Sequence, residues 1–317
     1  MLKFKHSGSY SDIIYSLPLI RKMGGGDLVI HLYNLEKSLK ENGYTDGEID
    51  SIYRNRFTQE DFEFILPLLK RQPYINNAYT ADGYQIDYDL DRCKGYLYKK
   101  FKGNAVEAYY KLFEQTYTSY QVVQPWLSVD SSTEADVVIS RSTRYRSTMA
   151  NCRDIWEMLN KKINFKQNAV FVGTPAEYSD FNDMGYSVPY RPVENLLDMA
   201  SIIAGANLFI GNQTVAYSLA QGLGRPTICE TRKDVALEQN ECYFRHQSAE
   251  YFWPCARLVN TSMEYINLGL VVLSATMAKR NLDIERPLWA MLWSALFGWN
   301  LHIVLLDFLV WAIDYTY

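Results

Sequence analysis

The sequence predicts an α/β protein made of two halves built on parallel sheets, and three observations predict it. Residues 192–230 form a strand-turn-helix arrangement with little slack, the chain opens with a second strand-loop-helix unit, and strand and helix signals alternate between the two. At 317 residues the chain has room for two domains, each able to bury its own core.

The first domain is read as residues 1–128. Lys3-Phe4-Lys5-His6 is a short strand, Ser7-Gly8-Ser9-Tyr10-Ser11-Asp12 a loop, and the helix that follows carries Leu17-Pro18. Gly24-Gly25-Gly26 turns the chain into a second strand, Leu28 to Leu32. Helices are expected at 34–43 and 58–70, a half-buried alternating strand at 84–90, and a tyrosine-rich helix from Ala105 to Tyr117. Gln124-Pro125-Trp126-Leu127 begins the crossing to the second half, with Ser131-Ser132-Thr133 as candidate hinge.

The second domain, 129–262, is expected to hold strands at 136–140, 169–173, 186–188, 207–210 and 226–230. Leu196, Leu197, Met199, Ile202 and Ile203 make one apolar helical stripe ahead of Leu208-Phe209-Ile210. Gly211 ends that strand, and Asn212, Gln213 and Thr214 suit an N-cap. Gly222, Gly224 and Pro226 then stop the next helix. Ligands of parallel sheets bind at the carboxyl ends of strands. Those ends carry Arg141 to Arg144, Gly173-Thr174, Arg191 and Gly211 to Thr214. The exposed N–H groups after Thr214 would receive a phosphate, although a plain crossover with a well-capped helix fits the same pattern.

A net charge of −4 leaves no global basic field for nucleic acid. The five cysteines, Cys93, Cys152, Cys229, Cys242 and Cys255, lack CxxC spacing and read as reduced thiols, neither a disulfide framework nor a zinc site. The charged first strand runs straight into the loop, with no signal-peptide pattern, and a cytoplasmic protein is expected. Residues 263–317 form an apolar, helical tail, in which the twenty residues Pro287 to Leu306 carry no Lys, Arg, Asp or Glu. Two readings stay open: a segment long enough to span a bilayer that inserts in a membrane or lies against its inner face, or a helix docked on the protein.

Three segments resemble the heptosyltransferase-like glycosyltransferases of the ADP-heptose:lipopolysaccharide type (glycosyltransferase family 9). They are Leu219-Ala220-Gln221-Gly222-Leu223-Gly224-Arg225-Pro226, the Ser11-Asp12 pair followed by Leu17-Pro18, and the strand Asp136 to Ile139 opening onto Ser140-Arg141-Ser142-Thr143-Arg144. Ser11 stands where that family usually has Gly. The resemblance covers both halves up to about residue 262 and leaves out the tail. It implies a GT-B fold, two Rossmann-like domains facing a cleft, with the second domain holding a nucleotide-sugar co-substrate and no metal or cofactor required. It implies Asp12 as general base toward a glycan or other hydroxyl acceptor, where helix capping is the alternative. Donor contacts fall on Arg141, Ser142, Arg144, Gly173, Thr174, Arg191, Gly211, Asn212, Gln213 and Thr214.

Asp87, Asp89 and Asp91 have metal-pair spacing but are read as solvated strand faces. Glu230 is left between ribose contact and helix cap, His6 is read as structural, and His31, His246 and His302 form no constellation. The competing functions are a nucleotide-sugar epimerase of the same fold and a non-catalytic nucleotide-sugar-binding or membrane-associated scaffold.

Overall fold

Two all-parallel sheets lie in sequence along the chain. The computed structural model describes residues 1–32, 45, 57–81, 85–93, 104–117, 124–132, 134–143, 152–230 and 249–252. The first sheet has the order β3-β2-β1-β4, from β1 (Lys3–His6), β2 (Gly26–Ile30), β3 (Ile75–Thr80) and β4 (Tyr88–Asp89). The second has the order β6-β5-β7-β8-β9, from β5 (Val137–Ser140), β6 (Ala169–Phe171), β7 (Leu208–Asn212), β8 (Thr227–Glu230) and β9 (Ala249–Phe252). Every pairing within the two sheets is parallel, so the strands are joined by crossovers and their carboxyl ends share one edge in each sheet.

The helices of the first half are α1 (Tyr10–Lys22), α2 (Gln59–Lys70) and α3 (Ala105–Leu112). Those of the second are α4 (Cys152–Ile163), α5 (Phe165–Asn168), α6 (Pro175–Asn182), α7 (Leu196–Gly205) and α8 (Val215–Gly222). The ends of α1 suit its dipole, with Asp12 in the first turn and Arg21 and Lys22 in the last. Thr58 and Asp61 close a reciprocal capping box on α2. Asn195 caps α7 by accepting from the N–H groups of Leu197 and Asp198.

Strands buried on both faces explain the unbroken apolar runs of the second sheet. In β5, Val138 faces one apolar cluster while Val137 and Ile139 face another. The second cluster is aromatic and built on Trp156, Phe165, Phe171 and Phe181, with Trp156 and Phe181 edge-on at 5.0 Å. The first cluster runs through both halves, where α1 packs on α8 and α2 on α7.

The crossing segment is fastened on both sides. The N–H groups of Trp126 and Leu127 both donate to the Gly222 carbonyl, at 2.8 and 3.0 Å. A Cβ on Gly222 would sit 2.6 Å from a Leu127 methyl, so a larger residue there would force the Leu127 side chain to shift. Tyr74 donates to the Trp126 carbonyl at 2.6 Å, and Arg21 to that of Pro125 at 2.9 Å. Pro18 inside α1 has no N–H, which leaves the Ile14 carbonyl without its helical donor. The Trp126 indole N–H fills that place at 3.1 Å.

Several expectations change in detail. Among the described residues of the expected 84–90 strand only Tyr88–Asp89 is a strand, residues 186–188 form none, and the bridge beside β6 falls at Tyr190. The edge strands β3 and β9 carry no apolar alternation and were not anticipated. The candidate hinge is tied at Ser132, whose N–H donates to the Ser201 carbonyl at 3.0 Å. Met1–Ala256, with both sheets, forms one compact unit, and a second unit is Arg257–Tyr317. That second unit, the segment 287–306 within it and the helix expected at 34–43 lie outside the described residues. Among the described residues no helix is long and apolar enough to cross a membrane.

Candidate active site

Helix α1, which follows the loop after β1, packs on α8. Ser11, in the first turn of α1, faces Ser218 of α8 with the two hydroxyl oxygens 3.5 Å apart. Asp12, the next residue, is half-buried at this junction. The Cys93 thiol, pushed up to about 12 first by burial and then by the charge of Asp12, registers the carboxylate nearby. Ser9 stands at the N-cap of α1 in extended conformation and makes no side-chain cap bond.

Hydrogen bonds hold this loop from beneath. His6 is fully buried, and its Nδ1 accepts from the Gly8 N–H at 2.8 Å. The proton of a neutral ring is then on Nε2, which donates to the Tyr109 hydroxyl at 3.0 Å. Tyr109 in turn donates to the backbone carbonyl of Asp12 at 3.2 Å. On the other side Asp91 accepts from the Ser7 N–H at 2.8 Å and from its hydroxyl at 2.7 Å. Burial works to raise the Asp91 carboxyl, but the charge of the His6 ring in its protonated form, the two Ser7 donors and Lys5 outweigh it and hold it below its ordinary value. Asp89 pairs with Lys5 at 2.9 Å, and the Asp87 carboxylate accepts from the Lys3 N–H at 2.8 Å. The three acids expected to be solvated faces are therefore fasteners of β1 and its loop.

The second half of the site is the carboxyl edge of β5 and β7. Gly211 lies opposite Ser140, and a Cβ there would run into the Ser140 carbonyl oxygen, so the strands can close only over glycine. Asn212 is fully buried: its Oδ1 accepts from the Ser142 N–H at 2.9 Å and its Nδ2 donates to the Ser142 carbonyl at 2.7 Å. The side chain thus continues the β5–β7 ladder by one step and fixes the loop beyond β5. Half-buried Gln213 follows, and Thr214 stands at the N-cap of α8 without a side-chain capping bond. Its Oγ1 is buried with no partner among the described residues. The first-turn N–H groups of a helix have no intrahelical acceptor, so this end of α8 presents donors and positive dipole to an anion.

The remaining candidates lie in different settings. Arg141 is buried, and its guanidinium grips Glu230 in a fork, Nε to Oε2 at 2.6 Å and NH2 to Oε1 at 2.9 Å. The Trp156 indole also donates to Glu230 at 3.0 Å. Arg141 and Glu230 tie the ends of β5 and β8 together, a function that neither ribose contact nor helix capping anticipated. Arg191 turns to Glu134 at 3.0 Å and Asp198 at 3.5 Å. Thr174 forms a capping box with Glu177 on α6, and the Gly173 carbonyl accepts from Tyr190 at 3.0 Å. Ser142 is half-buried beside α8, whereas Arg144 lies outside the described residues. His31, at the end of β2 beside His6, has a buried Nε2 without a partner among the described residues, which sequence reasoning did not single out. Among the described residues no three His, Cys, Asp or Glu side chains gather as a metal site would require.

The described residues thus hold two parallel sheets, with the candidate base after the first strand of one and an anion-receptive helix end in the other. Among solved structures, the chain is similar to E. coli ADP-heptose LPS heptosyltransferase II, with 12% identity, a TM-score of 0.50, 87% of this chain and 100% of that one covered. It is also similar to E. coli heptosyltransferase WaaC with ADP, with 13% identity, a TM-score of 0.49 and coverage of 84% and 98%. A glycosyl transferase of family 9 from Veillonella parvula aligns with 10% identity, a TM-score of 0.48 and 90% of both chains. At 12% identity the likeness to heptosyltransferase II is one of fold. No family model and no curated protein matches the chain.

Proposed function

We propose that the protein is an inverting, metal-independent glycosyltransferase that moves a sugar from a nucleotide-sugar donor to an acceptor hydroxyl. The observation that carries this reading is the meeting of α1 and α8 at Ser11 and Ser218, which makes Asp12 the immediate sequence neighbour of the residue that touches the donor-side helix. The donor diphosphate would rest on the first turn of α8, with Ser142, Gln213 and Thr214 as its candidate contacts; Arg144, two positions after Ser142 in the sequence, is the candidate cation for the same phosphates. Asn212 and Arg141 would shape that surface through Ser142 and Glu230. Asp12 takes the proton of the acceptor hydroxyl as the acceptor oxygen bonds to the anomeric carbon. The bond from that carbon to the diphosphate breaks, and the nucleoside diphosphate leaves with the electron pair. Attack from the face opposite the leaving group inverts the anomeric centre.

Heptosyltransferase II is named for ADP-heptose, so ADP-linked sugars come first in a donor panel. The test is thermal unfolding of the native chain with ADP, GDP, UDP or CMP, with and without magnesium. A native-state ligand raises the melting temperature. One nucleotide should do so irrespective of magnesium, and Asp12→Asn should keep that shift while losing nucleotide release from the matching donor by at least ~100-fold. No shift with any nucleotide in folded protein, or full turnover by Asp12→Asn, rejects the reading.

A further inference from the structure

Nothing in the chemistry of glycosyl transfer explains why a fully buried histidine lies under the candidate base. His6 ends β1, Asp12 opens α1, and Tyr109 comes from α3, 97 residues further along the chain. These three are joined in one direction: Gly8 N–H to His6 Nδ1, His6 Nε2–H to Tyr109, Tyr109 O–H to the Asp12 carbonyl, at 2.8, 3.0 and 3.2 Å. Each bond sets the polarity of the next. The Gly8 N–H selects the tautomer of His6, that tautomer makes the Tyr109 oxygen an acceptor, and the tyrosine proton is left for Asp12.

The bond falls on the backbone of Asp12, not its carboxylate, so the chain carries no proton to or from the base. What it fixes is orientation. The backbone of Asp12 is held at its own carbonyl by Tyr109, and the following residue by the Ile13 N–H to Ser9 carbonyl bond at 3.1 Å. With the backbone pinned at both points, the carboxylate direction reduces to its side-chain rotamers. The Ser7 end of the loop is held separately by Asp91. Helix α3 buries Ala105, Val106, Ala108, Tyr109 and Tyr110 and packs on α1, so Tyr109 acts from a rigid support.

We propose that Tyr109, oriented by His6, is a positioning residue for Asp12, an inference that rests on the reading of Asp12 as general base. The experiment compares wild type, Tyr109→Phe and the double variant His6→Leu/Tyr109→Phe, which strands no polar ring atom. Tyr110→Phe is the control, because Tyr110 is its neighbour on α3 and donates to the Pro18 carbonyl further along α1 at 3.0 Å. Two readouts are taken on protein shown to be folded: deuterium exchange of the segment 8–16, and nucleotide release from a panel of ADP-, GDP-, UDP- and CMP-sugars.

Tyr109→Phe and the double variant should exchange faster at the first turn of α1 and lose about tenfold in kcat with donor KM unchanged. Tyr110→Phe should keep kcat within about twofold while losing comparable thermal stability. Unchanged exchange in both Tyr109 variants overturns the inference, as does faster exchange with full kcat while Asp12→Asn is inactive. If Asp12→Asn itself retains turnover, the base reading falls and takes the catalytic part of the inference with it. The exchange result still decides whether the hydrogen-bond chain holds the turn.

Discussion

The indole N–H of Trp126 donates at 3.1 Å to the carbonyl of Ile14, the group that Pro18 deprives of its helical partner. A proline that would weaken α1 as an isolated helix is thereby made into a docking point for the segment that joins the two halves. If that description is correct, Trp126→Phe should destabilise the protein by about 1–3 kcal/mol, the cost of a buried carbonyl left unsatisfied. In a Pro18→Ala background the helix regains its own N–H donor, so the same Trp126→Phe change should cost less. Denaturant unfolding of the four proteins gives the coupling directly, and a cost that is the same in both backgrounds contradicts the account.

Asn212 offers a second test. Asn212→Asp keeps an acceptor for the Ser142 N–H but sets a carboxylate oxygen against the Ser142 carbonyl. It should lower stability by about 1–3 kcal/mol and weaken nucleotide binding together, because Ser142 beyond β5 loses its tether. Calorimetric titration with the nucleotide found by thermal unfolding reads the second effect. Unaltered affinity in the folded variant would mean that Ser142 does not depend on Asn212 for its place.

Arg141 and Glu230 form a buried pair, 6% and 0% exposed at the side chain. Removing one partner, as in Glu230→Gln or Arg141→Met, should cost about 3–5 kcal/mol because a charge is left uncompensated in the interior. Replacing both by Met should restore a large part of that loss. Chemical denaturation decides it, and a double variant as unstable as the sum of the singles argues against a mutually compensated pair.

The Asp91 carboxyl predicts a pH dependence with a definite sign. Its folded-state value lies below the unfolded one, about 3.9 for an aspartate, so the folded protein binds fewer protons between the two. The stabilisation is complete above the unfolded value and is lost as pH falls through the folded one. Asp91→Asn should therefore flatten the decline in unfolding free energy below about pH 5 and leave its slope unchanged near pH 7. Parallel slopes for the variant and wild type throughout the acid range would show that the Ser7 loop is not held by this carboxylate.

The legible parts of the sequence were those whose cause is local. The helical stripe from Leu196 to Ile203, the glycine stops at Gly222 and Gly224 and the alternation of strand and helix all report themselves within a few residues. So did the placing of Thr214 at a helix start, whereas Asn212, expected beside it, is the last residue of β7. What Asn212 does there was not legible, since its partner Ser142 is 70 positions away. Arg141 read as a free cation because Glu230 lies 89 residues on, and the support of Asp12 by Tyr109 spans 97. β3 escaped notice for another reason: Ile-Asn-Asn-Ala-Tyr-Thr at a sheet edge has one deeply buried side chain and no apolar period to detect.

The apolar cluster that passes without a break from α1 and α2 into α7 and α8 bears on how such a protein could be re-engineered. Proteins built of two α/β halves invite recombination, one half exchanged for that of another protein. Here a transplanted half would arrive with one wall of its own core missing. A working chimera would have to carry over the facing surfaces of α1 with α8 and of α2 with α7, together with Trp126 and its proline, as a single inherited block.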